Sequence, residues 1–231
     1  AKVLLLGEGD GDRAGWAVDE AGDLDNDGQT DVAIGAPGND AAGDNAGAAY
    51  VVLAGSGHDG ATSLADADAI VRGEEAGDTA GYSVSAAGSG DVTCDEYDDM
   101  LVGAPGHDAG GQQDAGAAYI VAGGDTLQGD TNLSNAQAKL HGENAGDLAG
   151  FAVADALDVT DNGDEDILVG APGANEKAGA AYLVEGECAP GEADDQEPET
   201  DEPVVEEPDE DEPKADEPTE EEPAEEEPVE E

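Results

Sequence analysis

Basic residues are almost missing from this sequence. Its 231 residues include 6 Lys+Arg against 60 Asp+Glu, a formal net charge of -54 at pH 7. Nucleic acids and anionic membranes are recognised through clustered positive charge, so this composition excludes both as partners and makes cations the natural ones. The same balance suits salt-rich surroundings, where self-repulsion is screened. No apolar run approaches the roughly 20 residues that a helix needs to cross a bilayer, so no direct membrane insertion is expected. Cysteine is also scarce. Cys94 and Cys188 are too few for a disulfide scaffold and the wrong number for a structural zinc site. One bridge in an oxidising compartment and two free thiols both fit them. Aromatics make up only 3% of the chain, whereas glycine reaches 35 residues. That balance favours tight turns and small, close-packed strands over long helices. Neither a Gly-x-Ser-x-Gly elbow nor a phosphate-binding Walker loop occurs. His58, His107 and His141 lack metal-ligand spacing and read as loop or satisfied surface residues rather than catalytic ones.

What is present is repetition. Gly-Ala-Pro occurs at Gly35-Ala36-Pro37, Gly103-Ala104-Pro105 and Gly170-Ala171-Pro172. Gly-Ala-Ala-Tyr ends at Tyr50, Tyr119 and Tyr182. A Gly-Glu-x-x-Gly-Asp-x-Ala-Gly element spans Gly73 to Gly81 and Gly142 to Gly150, with a looser copy from Gly7 to Gly15. Each repeat reads as four short strands, placed in the first at residues 3–6, 15–18 (Trp16 and Val18 on one face), 31–35 and 48–53, with Gly, Asp and Asn between them. Four strands in this length make about one propeller blade. The fold expected is therefore all-β, a partial β-propeller of three four-stranded blades in an incomplete ring. It occupies residues 1–187, with repeats at about 1–68, 69–137 and 138–187.

The register sharpens this. Residues 3–6 align with 70–72 and 139–141, which follow the Tyr strand of the preceding repeat. They form the outer strand of a blade whose other strands are not seen, while the third repeat lacks a fourth strand. Propellers usually close with 4–8 blades, so further blades or a partner chain are expected to complete the ring. From Cys188 the composition changes: proline recurs every five residues from Pro198 to Pro228, each preceded by Glu. Residues 188–231 are read as a disordered acidic Pro-rich stalk or linker.

Chemistry is carried by Asp23-Leu24-Asp25-Asn26-Asp27-Gly28-Gln29-Thr30-Asp31. Oxygen-bearing side chains fall at positions 1, 3, 5 and 9, a backbone carbonyl at position 7 (Gln29), and Gly at position 6. Ca²⁺ takes six to eight oxygens in a flexible shell, which such a loop can supply; Mg²⁺ demands stricter geometry. The same frame gives Asp91, Thr93, Asp95, Tyr97 (carbonyl) and Asp99 in the second repeat. In the third it gives Asp158, Thr160, Asn162, Asp164 (carbonyl) and Asp166. About one Ca²⁺ per repeat, three in total, is the expectation. Counting carboxylates ranks the first loop tightest. Glu96 stands where Gly28 and Gly163 stand in the other loops, so a strained or reshaped second loop is expected. An EF-hand is excluded because position 12 is Ile34, Val102 or Val169, where an acidic ligand is needed.

Together the Gly-aromatic pairs (Gly15-Trp16, Gly81-Tyr82, Gly150-Phe151), the acidic loops and Gly-Ala-Pro resemble FG-GAP repeats. These build the seven-bladed propeller of integrin α subunits and related bacterial and archaeal surface proteins. The resemblance implies structural calcium, an extracellular or cell-surface location, and adhesion through a protein or glycan ligand. No enzymatic activity is expected, because the acidic pairs recur in every repeat and a single active site would break that symmetry. The family's ligand-contacting residues find no matching motif here. The alternative is the non-catalytic propeller part of a larger secreted hydrolase or lyase. Asn132-Leu133-Ser134 forms a glycosylation sequon, and Leu157-Asp158-Val159 matches a short integrin-recognition tripeptide but lies within a metal loop.

Overall fold

A computed structural model of the chain describes residues 3–87, 91–124 and 127–186. All of these lie in one unit, Ala1–Gly191. The stalk predicted at 188–231 lies outside the described residues, as does Cys188; Cys94 is not a free thiol.

Apolar runs rich in Val, Ile and Tyr, broken by Gly and Asp, give short antiparallel strands. In the first blade β2 (Ala17–Gly22), β3 (Asp31–Ala36), β4 (Ala48–Val52) and β6 (Ala69–Arg72) pair in that order. The second blade repeats the order with β7 (Ser83–Ala86), β8 (Met100–Ala104), β9 (Ala117–Val121) and β11 (Ala138–His141). The third has β12 (Ala152–Leu157), β13 (Asp166–Ala171) and β14 (Ala180–Val184), with no fourth strand among the described residues. The fold is thus an all-β partial propeller.

Each complete repeat also contains a strand that its sequence hides. β10 (Gly129–Asn132) runs parallel to β6 and extends the first blade to five strands, although it belongs to the second repeat. β5 (Ala61–Ser63) does the same for β1 (Leu4–Leu6). β1 therefore stands to β5 as β6 stands to β10, which is the position of an outer strand. A short 3₁₀ turn after each added strand buries a leucine, Leu64 or Leu133. The sequon is used here: the Asn132 side chain caps Ser134 N, and its amide donates to the Gly73 carbonyl at 2.7 Å.

The core lies between blades. One face of the first blade (Ala33, Ala49, Val51, Val71) packs on Met100, Val102, Tyr119 and Leu133. The other face of the second blade (Leu101, Ala118) packs on Val153, Ile167 and Val169. Blades this close require bare backbone at the contact. A Cβ at Gly35 would run into the Gly81 carbonyl, and one at Gly103 into that of Gly150. The first glycine of each Gly-Ala-Pro is therefore matched by the glycine of the next Gly-aromatic pair, which holds a positive φ (+76° at Gly81, +78° at Gly150).

The second strand runs from Ala17 to Gly22, later than the expected 15–18, and leaves Trp16 just before it; Trp16 and Val18 are both exposed. Trp16, Tyr82 and Phe151 instead form a tilted ladder, with centroids 5.4 and 4.8 Å apart.

Candidate metal loops

Each acidic loop leads into the second antiparallel strand of its blade, β3, β8 or β13, and all three share one hydrogen-bond plan. The position-1 carboxylate accepts from the amides of positions 5 and 6. For Asp23 these are Asp27 (2.9 Å) and Gly28 (2.8 Å). For Asp91 they are Asp95 and Glu96, and for Asp158 they are Asn162 and Gly163, both at 3.0 Å. The position-5 oxygen then accepts from the position-7 amide, in the pairs Asp27–Gln29, Asp95–Tyr97 and Asn162–Asp164. Two residues per loop hold left-handed backbone. Position 6 is Gly28 (φ 86°), Glu96 (75°) and Gly163 (95°), and position 4 is Asn26 (57°), Cys94 (64°) and Asp161 (57°). Glu96 thus adopts the glycine conformation without being glycine, so the loop keeps its shape and carries the strain.

The predicted ligand residues divide into two groups. In the first loop, Asp23, Asp25 and Asp27 each bring a carboxylate oxygen within 4.8 Å of the others. None of the ion pairs among the described residues involves Asp23, Asp25 or Asp27. Three mutually repelling carboxylates without a basic partner fit a hard cation. Gln29 uses its side-chain amide on Asp27 Oδ2, which leaves the predicted role to its carbonyl. The position-9 residues Asp31, Asp99 and Asp166 are buried and already serve the backbone. Asp31 accepts from Leu24 N and Ala54 N (2.9 and 2.8 Å). Asp99 accepts from Thr93 N and Gly123 N. Asp166 accepts from Val159 N, Thr160 N and Gly186 N. Each therefore ties the loop's start to the chain just beyond the third strand. Thr93 and Thr160 direct their hydroxyls to Asp99 and Asp166, at 3.2 and 3.3 Å. Burial pushes the Asp31 and Asp99 carboxyls up, Asp99 to about 6. Backbone donors oppose the rise, and the neighbouring loop aspartates (Asp25 and Asp23, or Asp95) add to it.

Adjacent loops are also joined. Asp98 Oδ2 accepts from Asp23 N at 2.7 Å, Asn26 donates to the Glu96 carbonyl, and Gly124 N donates to the Leu24 carbonyl.

A second set of buried carboxylates escaped the sequence reading, because acidic residues in so acidic a chain look solvated. Asp12, Asp78 and Asp147 come from the Gly-Glu-x-x-Gly-Asp element, and each accepts backbone amides of its own turn. Asp12 also takes the amide of Asn39, which bonds Tyr50 Oη at 3.1 Å. His107 replaces Asn39 in the second repeat. It is buried, not at the surface as its spacing suggested, with Nδ1 3.2 Å from Asp78 Oδ2. Arg72 closes the first network by donating to Asn39, Glu8 and Asp130. The signal available in advance was positional: these aspartates recur in register.

An arc of similar blades, each with an oxygen-rich loop before its second strand, defines a repeat β-propeller module. Residues 14–52 match the FG-GAP repeat family. The chain is 35% identical over 130 residues to integrin alpha-5 of Xenopus laevis, covering 54% of this chain and 11% of that protein. It is 37% identical over 91 residues to integrin alpha pat-2 of Caenorhabditis briggsae, covering 39% of this chain and 7% of the other. The family match and the two likenesses fit the repeat propeller described above, and the chain spans about a tenth of the integrin chains it matches.

Proposed function

We propose that this chain is a calcium-stabilised propeller module of a secreted or cell-surface protein, serving adhesion by binding an extracellular protein or glycan. The observation that carries the calcium reading is the shared loop plan, with two left-handed positions in all three copies and the Asp23, Asp25 and Asp27 cluster in the first. Asp23, Asp25, Asp27, Asp31 and the Gln29 carbonyl would hold the first ion. Asp91, Thr93, Asp95, Asp99 and the Tyr97 carbonyl would hold the second. The third would fall to Asp158, Thr160, Asn162, Asp166 and the Asp164 carbonyl. The ion would neutralise these clusters and cross-link each loop. The protein's own part is to hold the carboxylates in place through the position-1 and position-9 hydrogen bonds. The joined loops Asp23–Asp31 and Asp91–Asp99 would transmit that rigidity between blades. The adhesive role is supported by the likeness to integrin α chains, and the acidic segment 188–231 would act as a spacer.

The test is thermal unfolding with excess calcium and with excess chelator. Each ion at 100 times its Kd adds about 2.7 kcal/mol, and a domain of this size gains about 2–4 °C per kcal/mol, so chelation should lower Tm by about 5–10 °C for every ion released. An unchanged Tm would overturn the calcium reading.

A further inference from the structure

The two ends of the arc present faces that are interior elsewhere in the same molecule. Val18, Val84 and Val153 occupy one repeat position. Val84 and Val153 are 6% and 8% exposed against neighbouring blades, whereas Val18 is 66% exposed. Val32 is likewise exposed where its equivalents Met100 and Ile167 are buried. At the other end, Leu168 is 39% exposed where its equivalents Ala33 and Leu101 are fully buried, and Leu183 is exposed where Val51 is buried. The first end is shaped to receive the far side of a blade, and the second to receive the near side. The strands complement each other in the same way. β14 lacks an antiparallel neighbour on its outer edge, and β1 has only its parallel partner β5, among the described residues.

We infer that two copies of this chain associate head to tail, β1 of each completing the third blade of the other, to close a six-bladed ring. Six lies within the range in which propellers close. The contact is heterologous and occurs twice around a two-fold axis. Its register follows from the blades that are complete. Tyr50 faces Ile70 and Tyr119 faces Lys139, so Tyr182 of one copy should face Leu4 of the other, with Ala181 facing Leu5. Apolar side chains now in water, Val18, Val32, Leu168 and Leu183, would be buried as their equivalents are. This inference rests on the propeller fold and not on the calcium reading.

The experiment is light scattering of the 231-residue chain in about 1 M salt with calcium, which reduces the Debye length to about 3 Å and screens the like charge of the copies. Absolute mass is needed, because an extended acidic segment would distort elution volume. The expected mass is twice the 22.9 kDa of one chain. Val18→Asp and Leu168→Asp, at exposed positions where each chain can still fold, should each give the monomer mass, with circular dichroism confirming the fold. Mixed in equal amounts, the two variants should recover the dimer mass, because one of their two interfaces is then free of both substitutions. A monomeric parent chain at about 50 µM would overturn the proposal, and would leave the faces to further blades of a longer chain. Species that grow with concentration would overturn ring closure. Failure of the mixture to pair would overturn the head-to-tail arrangement.

Discussion

Replacing Glu96 with glycine should stabilise the protein, although it removes a side chain. Glu96 sits at φ 75°, in the left-handed region shared with Gly28 and Gly163. That conformation costs a residue with a Cβ about 1–2 kcal/mol. Glycine relieves the cost but adds about 0.5–1 kcal/mol of chain entropy to be lost on folding. The bonds Glu96 makes here, to Asp91 Oδ2 and from Asn26, use its backbone and survive the substitution. The net expectation for Glu96→Gly is a gain of about 0.5–1 kcal/mol, or about 1–4 °C in Tm. Glu96→Gln removes the charge and keeps the strain, so it should leave Tm unchanged within about 1 °C. The reciprocal substitutions Gly28→Ala and Gly163→Ala should cost about 1 kcal/mol each. A Cβ at either position meets nothing within 4 Å, so that cost comes from the backbone alone. Calorimetry and urea titration of the five proteins would decide. If Glu96→Gln gains as much as Glu96→Gly, the effect is charge, and the strain argument fails.

Two further outcomes follow from the buried polar groups. Arg72→Ala removes donors to Glu8, Asn39 and Asp130 from a mostly buried position and should cost about 1–3 kcal/mol in urea denaturation. Lys139→Ala loses one partly exposed ion pair with Glu74 and should cost less than about 1 kcal/mol; equal costs would contradict the network described around Arg72. In chelator, the upward shift of Asp99 to about 6 means that folding favours its neutral form. Its stabilising contribution is complete below the unfolded carboxylate value near 4 and is lost as pH rises through about 6. Metal-free protein should therefore lose stability over that window, and Asp99→Asn should flatten the slope; a slope unchanged by the substitution would refute this.

The blades were legible because alternating apolar residues and Gly-Asp punctuation mark antiparallel strands directly, and three copies in register reinforce one another. β5 and β10 were not legible. Ala61–Ser63 and Gly129–Asn132 are polar and unpatterned, and they become strands only because an outer strand beside them offers free backbone groups. Within the loops, oxygen spacing pointed to Asp23, Asp25 and Asp27, and Gly28 and Gly163 signalled the turn. The second turn residue gave no signal, because Asn26, Cys94 and Asp161 have no common chemistry. Nor does spacing reveal that Asp31 bonds Ala54 across the blade, since that depends on where the third strand ends.

The parallel pairing of β10 with β6 sets what such a chain loses when it shrinks. A sequence repeat and a blade are out of phase, so each repeat carries a piece of its neighbour's sheet. Excising residues 69–137 would join Asp68 to Ala138 and bring β11 beside β4, in a register that the Tyr50–Ile70 and Tyr119–Lys139 pairs already share. Two blades would remain, the first with four strands in place of five. Excising the visible second blade, residues 83–141, would leave the same sheets with β6 in the place of β11, and would likewise remove β10. Loss of one unit at either boundary therefore costs the first blade its fifth strand, and an engineered propeller that is to keep it must retain residues 129–132.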